Sequence, residues 1–369
     1  MRIKPFMHAP SGSVTFAAGA SQQAGAQGPL KKAQRVAVVT DKGVAAAGVL
    51  GRVVEPLGAK VAFVDDGVIP DADCAHIDAL AAKMKEANVD VILAVGGGSV
   101  IDTAKCAAAV LAKGKPIAEL EGMATVRTKL APLVCVPTTA GTGSEATQFA
   151  VVKDRVEGRK RILMDTSLVP AHSILEPELL VGLPREITAA TGVDALAHAI
   201  EAMASRMWNP IATSLATNAV LLLRDSFARS LSHGDDVEAR AGCLVAANMA
   251  GQAISSAMLG ACHAFAHALG ALKGVPHGVA NGVFLVPVMK VNAGPAYAFL
   301  SALLQQDAIE FVETLVHEVA RIPTRLRDVG VVEGDVDALV RLTMADADLA
   351  TNPVALDEEA IRRIIRERL

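Results

Sequence analysis

The chain has 369 residues, 52% hydrophobic but only 3% aromatic, and its 35 Lys and Arg nearly balance 39 Asp and Glu, for a formal net charge of −4. That composition is too apolar for a disordered chain and too evenly charged for a polyanion binder, and so few aromatic rings argue against base stacking, so no nucleic-acid partner is expected. At ~100–200 residues per domain, the length fits two domains with substantial cores.

Taken from the N-terminus, residues Met1 to Ala20 carry early basic residues but no uninterrupted apolar core and no clear cleavage site, so a cytoplasmic location is expected. The Ser-rich and Gly-rich stretch from Ser11 to Gln27 predicts a hairpin or loop. Short β-branched runs then follow at Val36–Thr40, Val61–Val64, Val89–Val95 and Leu133–Val136, separated by helix-like stretches such as Gly43–Leu57 and Cys74–Ala87. Strands alternating with helices of this length predict βαβ units and a parallel sheet, with ligands at the carboxyl ends of the strands.

The run Ala94–Lys105 (AVGGGSVIDTAK) puts Gly96, Gly97, Gly98 and Ser99 between a strand and a helix. Glycines there let backbone N–H groups and the positive helix end approach a phosphate, although a plain tight turn is the other reading. The run matches neither GxGxxG nor the P-loop pattern. A second loop of the same kind, Pro137–Thr147 (PTTAGTGSEAT), follows the next strand, and together the two form a plausible pyrophosphate cradle. Asp41, at the end of the first strand, is placed to bind a ribose diol and so favour NAD over NADP, or else to cap a helix.

From about Pro184 the strand texture disappears, and Ala/Leu-rich segments predict helices at Ile187–Ser205, Pro210–Ser232, Val237–Leu272 and Asp307–Val319, the first capped by Thr188 or Thr191. Residues 241–272 contain no formal charge and are long enough for a membrane span, but they include Asn248, Gln252, Ser255, Ser256, His263, His267 and four glycines. They predict helices buried inside a soluble protein, with no membrane partner. The five cysteines show no CxxC and no repeating spacing, which predicts buried thiols without a disulfide framework or zinc knuckle.

Asp194 and His198 are four apart, as are His263 and His267, so each pair shares a helix face; His277 follows at a glycine-flanked turn. One such histidine alone is more simply a hydrogen-bonded core residue. Asp194, His198, His263 and His277 together in uncharged surroundings predict a divalent metal site, which Zn²⁺ and Fe²⁺ suit equally.

GGGSVIDTAK, PTTAGTGSE, TGVDALAHAIEA, CHAFAHALG and VPHGVANG, in this order, resemble the iron-containing (group III) alcohol dehydrogenase family, over about Val36 to Asn352. The resemblance implies a dehydroquinate synthase-like architecture: a Rossmann-like α/β NAD-binding domain (residues 1–183), an all-α metal-binding and catalytic domain (residues 184–369), and an active site in the cleft. It implies Asp194, His198, His263 and His277 as metal ligands and His267 as the histidine that relays the proton. Gly97, Gly98, Ser99, Asp102, Thr138, Thr139, Thr142 and Lys160 fall where the family contacts NAD(H), and Asp41 where NAD-preferring members are acidic. Asp71 stands where many relatives have Asn, and the opening VTFAAGA matches the family's first glycine turn only loosely.

The activity so implied is hydride transfer between a small primary alcohol, or its aldehyde, and a nicotinamide, in a homodimer or higher homo-oligomer. A glycerol or other polyol dehydrogenase and a maleylacetate-type reductase remain alternatives on the same fold, and a non-enzymatic nucleotide-binding scaffold an alternative of another class. Phe149, Met258, Cys262 and Phe265 line the substrate or merely pack. The basic stretch Lys153–Arg161 attracts an anionic substrate or forms a solvated loop around Lys160.

Overall fold

The computed structural model describes residues 5–369; the first four residues of the Met1–Ala20 stretch lie outside the described residues. The described chain divides into two compact units, one of residues 9–181 and one of residues 5–8 with Gly182–Leu369.

The first unit is built on a six-stranded sheet. Its strands are β1 (Ser13–Phe16), β2 (Val36–Val39), β3 (Val61–Asp65), β4 (Val91–Gly96), β6 (Leu133–Pro137) and β9 (His172–Leu175), in the order β1-β9-β6-β4-β2-β3. All pairings are parallel. Strands β2, β4, β6 and β9 are buried along their whole length, as a sheet covered on both faces requires; β2, β4 and β6 are accordingly continuous apolar runs, while β9 opens on the buried polar residues His172 and Ser173. Connecting helices include α1 (Lys42–Ala46), α2 (Val49–Val54), α3 (Cys74–Glu86) and α4 (Gly98–Lys113).

Three sequence expectations change here. The helix expected over Gly43–Leu57 is interrupted at Gly48, which adopts φ +74° between α1 and α2. The Ser11–Gln27 stretch is not a hairpin: it contributes β1 at the sheet edge, hydrogen-bonded to a segment 158 residues later, and a 3₁₀ turn. The basic stretch is no free loop, because β7 (Phe149–Asp154) and β8 (Arg159–Met164) pair as an antiparallel hairpin, with the short β5 (Gly122–Met123) beside β8. Buried and half-buried residues alternate along β7, the mark of a strand covered on one face. Arg159 and Arg161 are neutralised by Glu121, Asp154 and Glu157, which leaves little net charge for an anionic substrate.

The second unit is helical: α5 (Arg185–Ala204), α6 (Pro210–Ser232), α7 (Val237–Ala257), α8 (Ala261–Lys273), α9 (His277–Val291), α10 (Pro295–Leu304), α11 (Ala308–Glu313), α12 (Val336–Met344) and α13 (Glu358–Arg368). Thr188 and Thr191 do not cap α5. They lie inside it, where their hydroxyls donate to the carbonyls of Pro184 and Ile187 one turn back. The expected helix over Val237–Leu272 is two helices bent by 103°. The break falls at Met258, held at φ +64°. Among the described residues no single helix is long and apolar enough to cross a membrane. The cysteines form no disulfide; four are buried and Cys74 is half-buried.

Candidate functional site

In the helical unit, α5 presents Asp194 and His198 one turn apart, α8 presents His263, and α9 begins with His277. Asp194 Oδ1 lies 3.7 Å from His198 Nε2, 3.7 Å from His263 Nε2 and 3.5 Å from His277 Nε2. Among the described residues, one donor atom each from Asp194, His263 and His277 lies within 4.8 Å of the others, close enough to share one cation, whereas His198 approaches Asp194 but does not join that group. The His198 and His263 rings stack at 4.7 Å. Asn281, fully buried one turn into α9, donates from Nδ2 to Asp194 Oδ1 at 2.8 Å and lies 3.2 Å from His263 Nε2 and 3.4 Å from His277 Nε2. Asp194 Oδ1, His263 Nε2 and His277 Nε2 thus meet around the Asn281 amide.

The electrostatics agree. Burial works against charge on Asp194, but His198, His277 and His263 around it hold its carboxyl well below the usual carboxylate range. Burial likewise opposes charge on His263, yet the Glu201 and Asp194 carboxylates outweigh it and push its pKa up to about 10. The cluster as a whole therefore favours positive charge.

His267, one turn after His263, stands beside the cluster: its ring stacks on His277 at 5.3 Å, and its Nδ1 is 2.9 Å from Asp346 Oδ2. Asp348 is 3.7 Å away, and burial, eased by His267 and reinforced by Asp346, raises its pKa to about 6. Sequence reasoning passed over Glu201, Asn281, Asp346 and Asp348. Glu201 and Asn281 carry a signal, since they continue the helix faces of Asp194 and His277; Asp346 caps a short 3₁₀ segment and Asp348 lies within it, with no periodicity to mark them.

In the α/β unit, β4 and β6 are adjacent, with Gly96 opposite Pro137, so the two loops emerge side by side. A Cβ on Gly98 would come within 2.7 Å of Thr142 and one on Gly97 within 3.2 Å of Thr139, so the glycines are what let the loops touch. Gly97 caps the start of α4, and Thr138 N–H donates to Gly96 O. Ser99 Oγ accepts from Asp71 N–H, and Asp71 Oδ1 is 3.3 Å from Lys160 Nζ, which links Lys160 to the glycine turn. Asp71 thereby has a protein partner in Lys160. Asp102 points inward, where its buried carboxylate accepts from Ser144 Oγ and Val151 N–H and so ties the second loop to α4. Asp41 follows β2, next to β4, and its Oδ1 accepts from Val44 N–H as the cap of α1.

The comparisons agree with this architecture. The model "Iron-containing alcohol dehydrogenase" matches residues 11–177, and "Fe-containing alcohol dehydrogenase family, C-terminal" matches residues 188–369. Alcohol dehydrogenase 4 of Saccharomyces cerevisiae is 34% identical over 350 residues, covering 91% of each chain. A crystal structure of a 1,3-propanediol oxidoreductase superposes with a TM-score of 0.95 at 31% identity, over 99% of this chain and 100% of that one. Sulfoacetaldehyde reductase from Bifidobacterium kashiwanohense, solved in complex with NAD+, gives a TM-score of 0.92 at 26% identity over 99% of both chains. The chain belongs to the iron-containing alcohol dehydrogenase family. Within that family it is an NAD-linked oxidoreductase of the alcohol dehydrogenase and aldehyde reductase type.

Proposed function

We propose that residues 184–369 form the metal-binding and catalytic domain, with Asp194, His198, His263 and His277 as ligands of a divalent metal, Fe²⁺ or Zn²⁺, and that residues 1–183 form the NAD(H)-binding domain. The convergence of three imidazole Nε2 atoms on one Asp194 oxygen carries this reading. The reaction is hydride transfer between a small primary alcohol, or the corresponding aldehyde, and the nicotinamide. A bound divalent metal supplies Lewis acidity toward the substrate oxygen at neutral pH.

The protein's own residues do the rest. Asp346 accepts from His267 Nδ1–H, which leaves Nε2 to exchange the proton that accompanies hydride transfer. Gly97, Gly98, Ser99, Thr138, Thr139 and Thr142 offer the cofactor backbone and hydroxyl donors, Lys160 offers a cation, and Asp102 holds the second loop in place. Asp41 faces the adenosine ribose through the carboxylate oxygen that α1 leaves over. The enzyme acts in the cytoplasm as a homodimer or higher homo-oligomer.

Purified protein oxidises short alcohols with NAD⁺, loses the activity on chelation and regains it with Fe²⁺ or Zn²⁺. Full activity in His263→Ala without added metal would overturn the assignment. A screen of short alcohols and aldehydes, including carboxylate-bearing and phosphonate-bearing ones, identifies the substrate.

A further inference from the structure

We infer that Glu201 is a positioning residue for the metal centre: it fixes His263 in the tautomer that presents Nε2 and anchors the start of α8 against the helix that carries Asp194 and His198. The inference rests on the metal-site reading above.

Glu201 lies on α5, seven residues after Asp194 and three after His198, so the three side chains share one face. It is 5% exposed. Its Oε2 accepts from Gly260 N–H at 3.1 Å and is 2.6 Å from His263 Nδ1, while Oε1 accepts from Cys262 N–H at 2.7 Å. An ionised carboxylate only accepts hydrogen bonds, so at 2.6 Å Nδ1 must carry a proton. Nε2, 3.7 Å from Asp194 Oδ1, is then the ring nitrogen left to give up its proton to an incoming metal. The opposite tautomer would place N–H on Nε2, which cannot ligate.

The same carboxylate satisfies two of the orphan N–H groups at the start of α8 and lies at the positive end of that helix. Here the chain has just turned through 103°, so the direction of α8, and with it the place of His263, depends on what holds this corner. Gly260 permits the approach: a Cβ there would lie 3.0 Å from Glu201 Oε1 and from Asn352 Oδ1. One carboxylate therefore sets both the backbone and the protonation of a ligand on a neighbouring helix. A residue that only capped α8 would do the first alone.

The test is Glu201→Gln, in the full chain. The amide keeps one acceptor for α8 but offers N–H₂ or a weaker acceptor to Nδ1. Zn²⁺ affinity, measured by competition with a chromophoric chelator, falls 10–100-fold, with the far-ultraviolet circular dichroism of the metal-free protein unchanged. Unchanged affinity in folded Glu201→Gln overturns the inference. Wild-type protein that takes up no stoichiometric Zn²⁺ overturns the metal-site reading itself, so the two failures are distinguishable. Should the variant not fold, the Zn²⁺-loaded wild type decides: a His263 Nδ1–H proton resonance shifted far downfield and protected from exchange shows the bond to Glu201 and supports the inference, and an ordinary, fast-exchanging one overturns it.

Discussion

A Cβ on Gly278 would lie 1.9 Å from the carbonyl oxygen of Ala190, so α9 crosses α5 with backbone against backbone one turn before Asp194. This approach delivers His277, the preceding residue, to the carboxylate. Gly278→Ala must push the helices apart, at a cost of at least the ~1–3 kcal/mol typical of overpacking. Denaturant unfolding and metal analysis check this: the midpoint drops and stoichiometric metal is lost, whereas Gly274→Ala, with nothing within 4 Å but φ +68°, affects stability and leaves metal binding intact.

Asp41 caps α1 and is also proposed to face the ribose. Asn caps helices about as well as Asp but carries no charge to repel a 2′-phosphate. In Asp41→Asn the ratio of kcat/KM for NADP⁺ to that for NAD⁺ rises, while the unfolding free energy stays within about 0.5 kcal/mol. An unchanged ratio would remove Asp41 from the ribose site.

His267 is tested apart from the ligands. His267→Ala retains stoichiometric metal, loses on the order of 10²–10⁴ in kcat if it carries the proton, and recovers part of it with added imidazole. Asp346→Asn keeps a hydrogen-bond partner for Nδ1 and loses less.

The His76–Asp65 pair in the α/β unit gives stability a pH dependence. Its 2.8 Å hydrogen bond outweighs burial and raises the His76 pKa above 6.5, and the same bond lowers that of Asp65 below 3.8. The His76 contribution is complete below the unfolded value of about 6.5 and disappears as pH rises through the folded pKa; that of Asp65 is complete above about 3.8 and disappears as pH falls through its own. The stability difference between wild type and His76→Ala is therefore larger at pH 5.5 than at pH 9, measured by urea unfolding. A pH-independent difference would refute this.

Lys105 is fully buried on α4, with Nζ 2.8 Å from Thr147 O, 3.0 Å from Thr147 Oγ1 and 2.7 Å from Phe149 O. Lys105→Met fills the volume but strands those carbonyls, at ~1–3 kcal/mol for each unsatisfied group. Calorimetry of the variant shows a lower Tm. An unchanged Tm means that water replaces the ammonium.

The parts of the fold that were legible in the sequence are those set by period and by residue chemistry. Val91–Gly96 is buried on both faces and is an unbroken apolar run, and Asp194 and His198 share a face because a helix repeats every 3.6 residues. The missed parts depend on partners distant in the chain. Ser13–Phe16 is a strand only because His172–Leu175 pairs with it. Met258 takes a left-handed φ that non-glycine residues seldom adopt, so nothing local announced the bend. The charges of β7 and β8 concealed a hairpin whose arginines meet Glu121, more than thirty residues upstream. At the site, imidazoles and a carboxylate stood out by type, but Glu201 and Asn281 are ordinary polar residues until three dimensions bring them to His263.

The pairing of β1 with β9 also bears on how the chain is made. Closing a loop of 158 residues costs about 4–5 kcal/mol of chain entropy. At ribosomal rates of ~5–20 residues per second, β1 precedes its partner by roughly 8–30 s. During that interval the strand has no neighbour, and its four-residue length gives a stray edge little to grip. The sheet of the α/β unit is thus completed by nearly the last stretch of that unit to be synthesised, just before the first helix of the helical unit emerges.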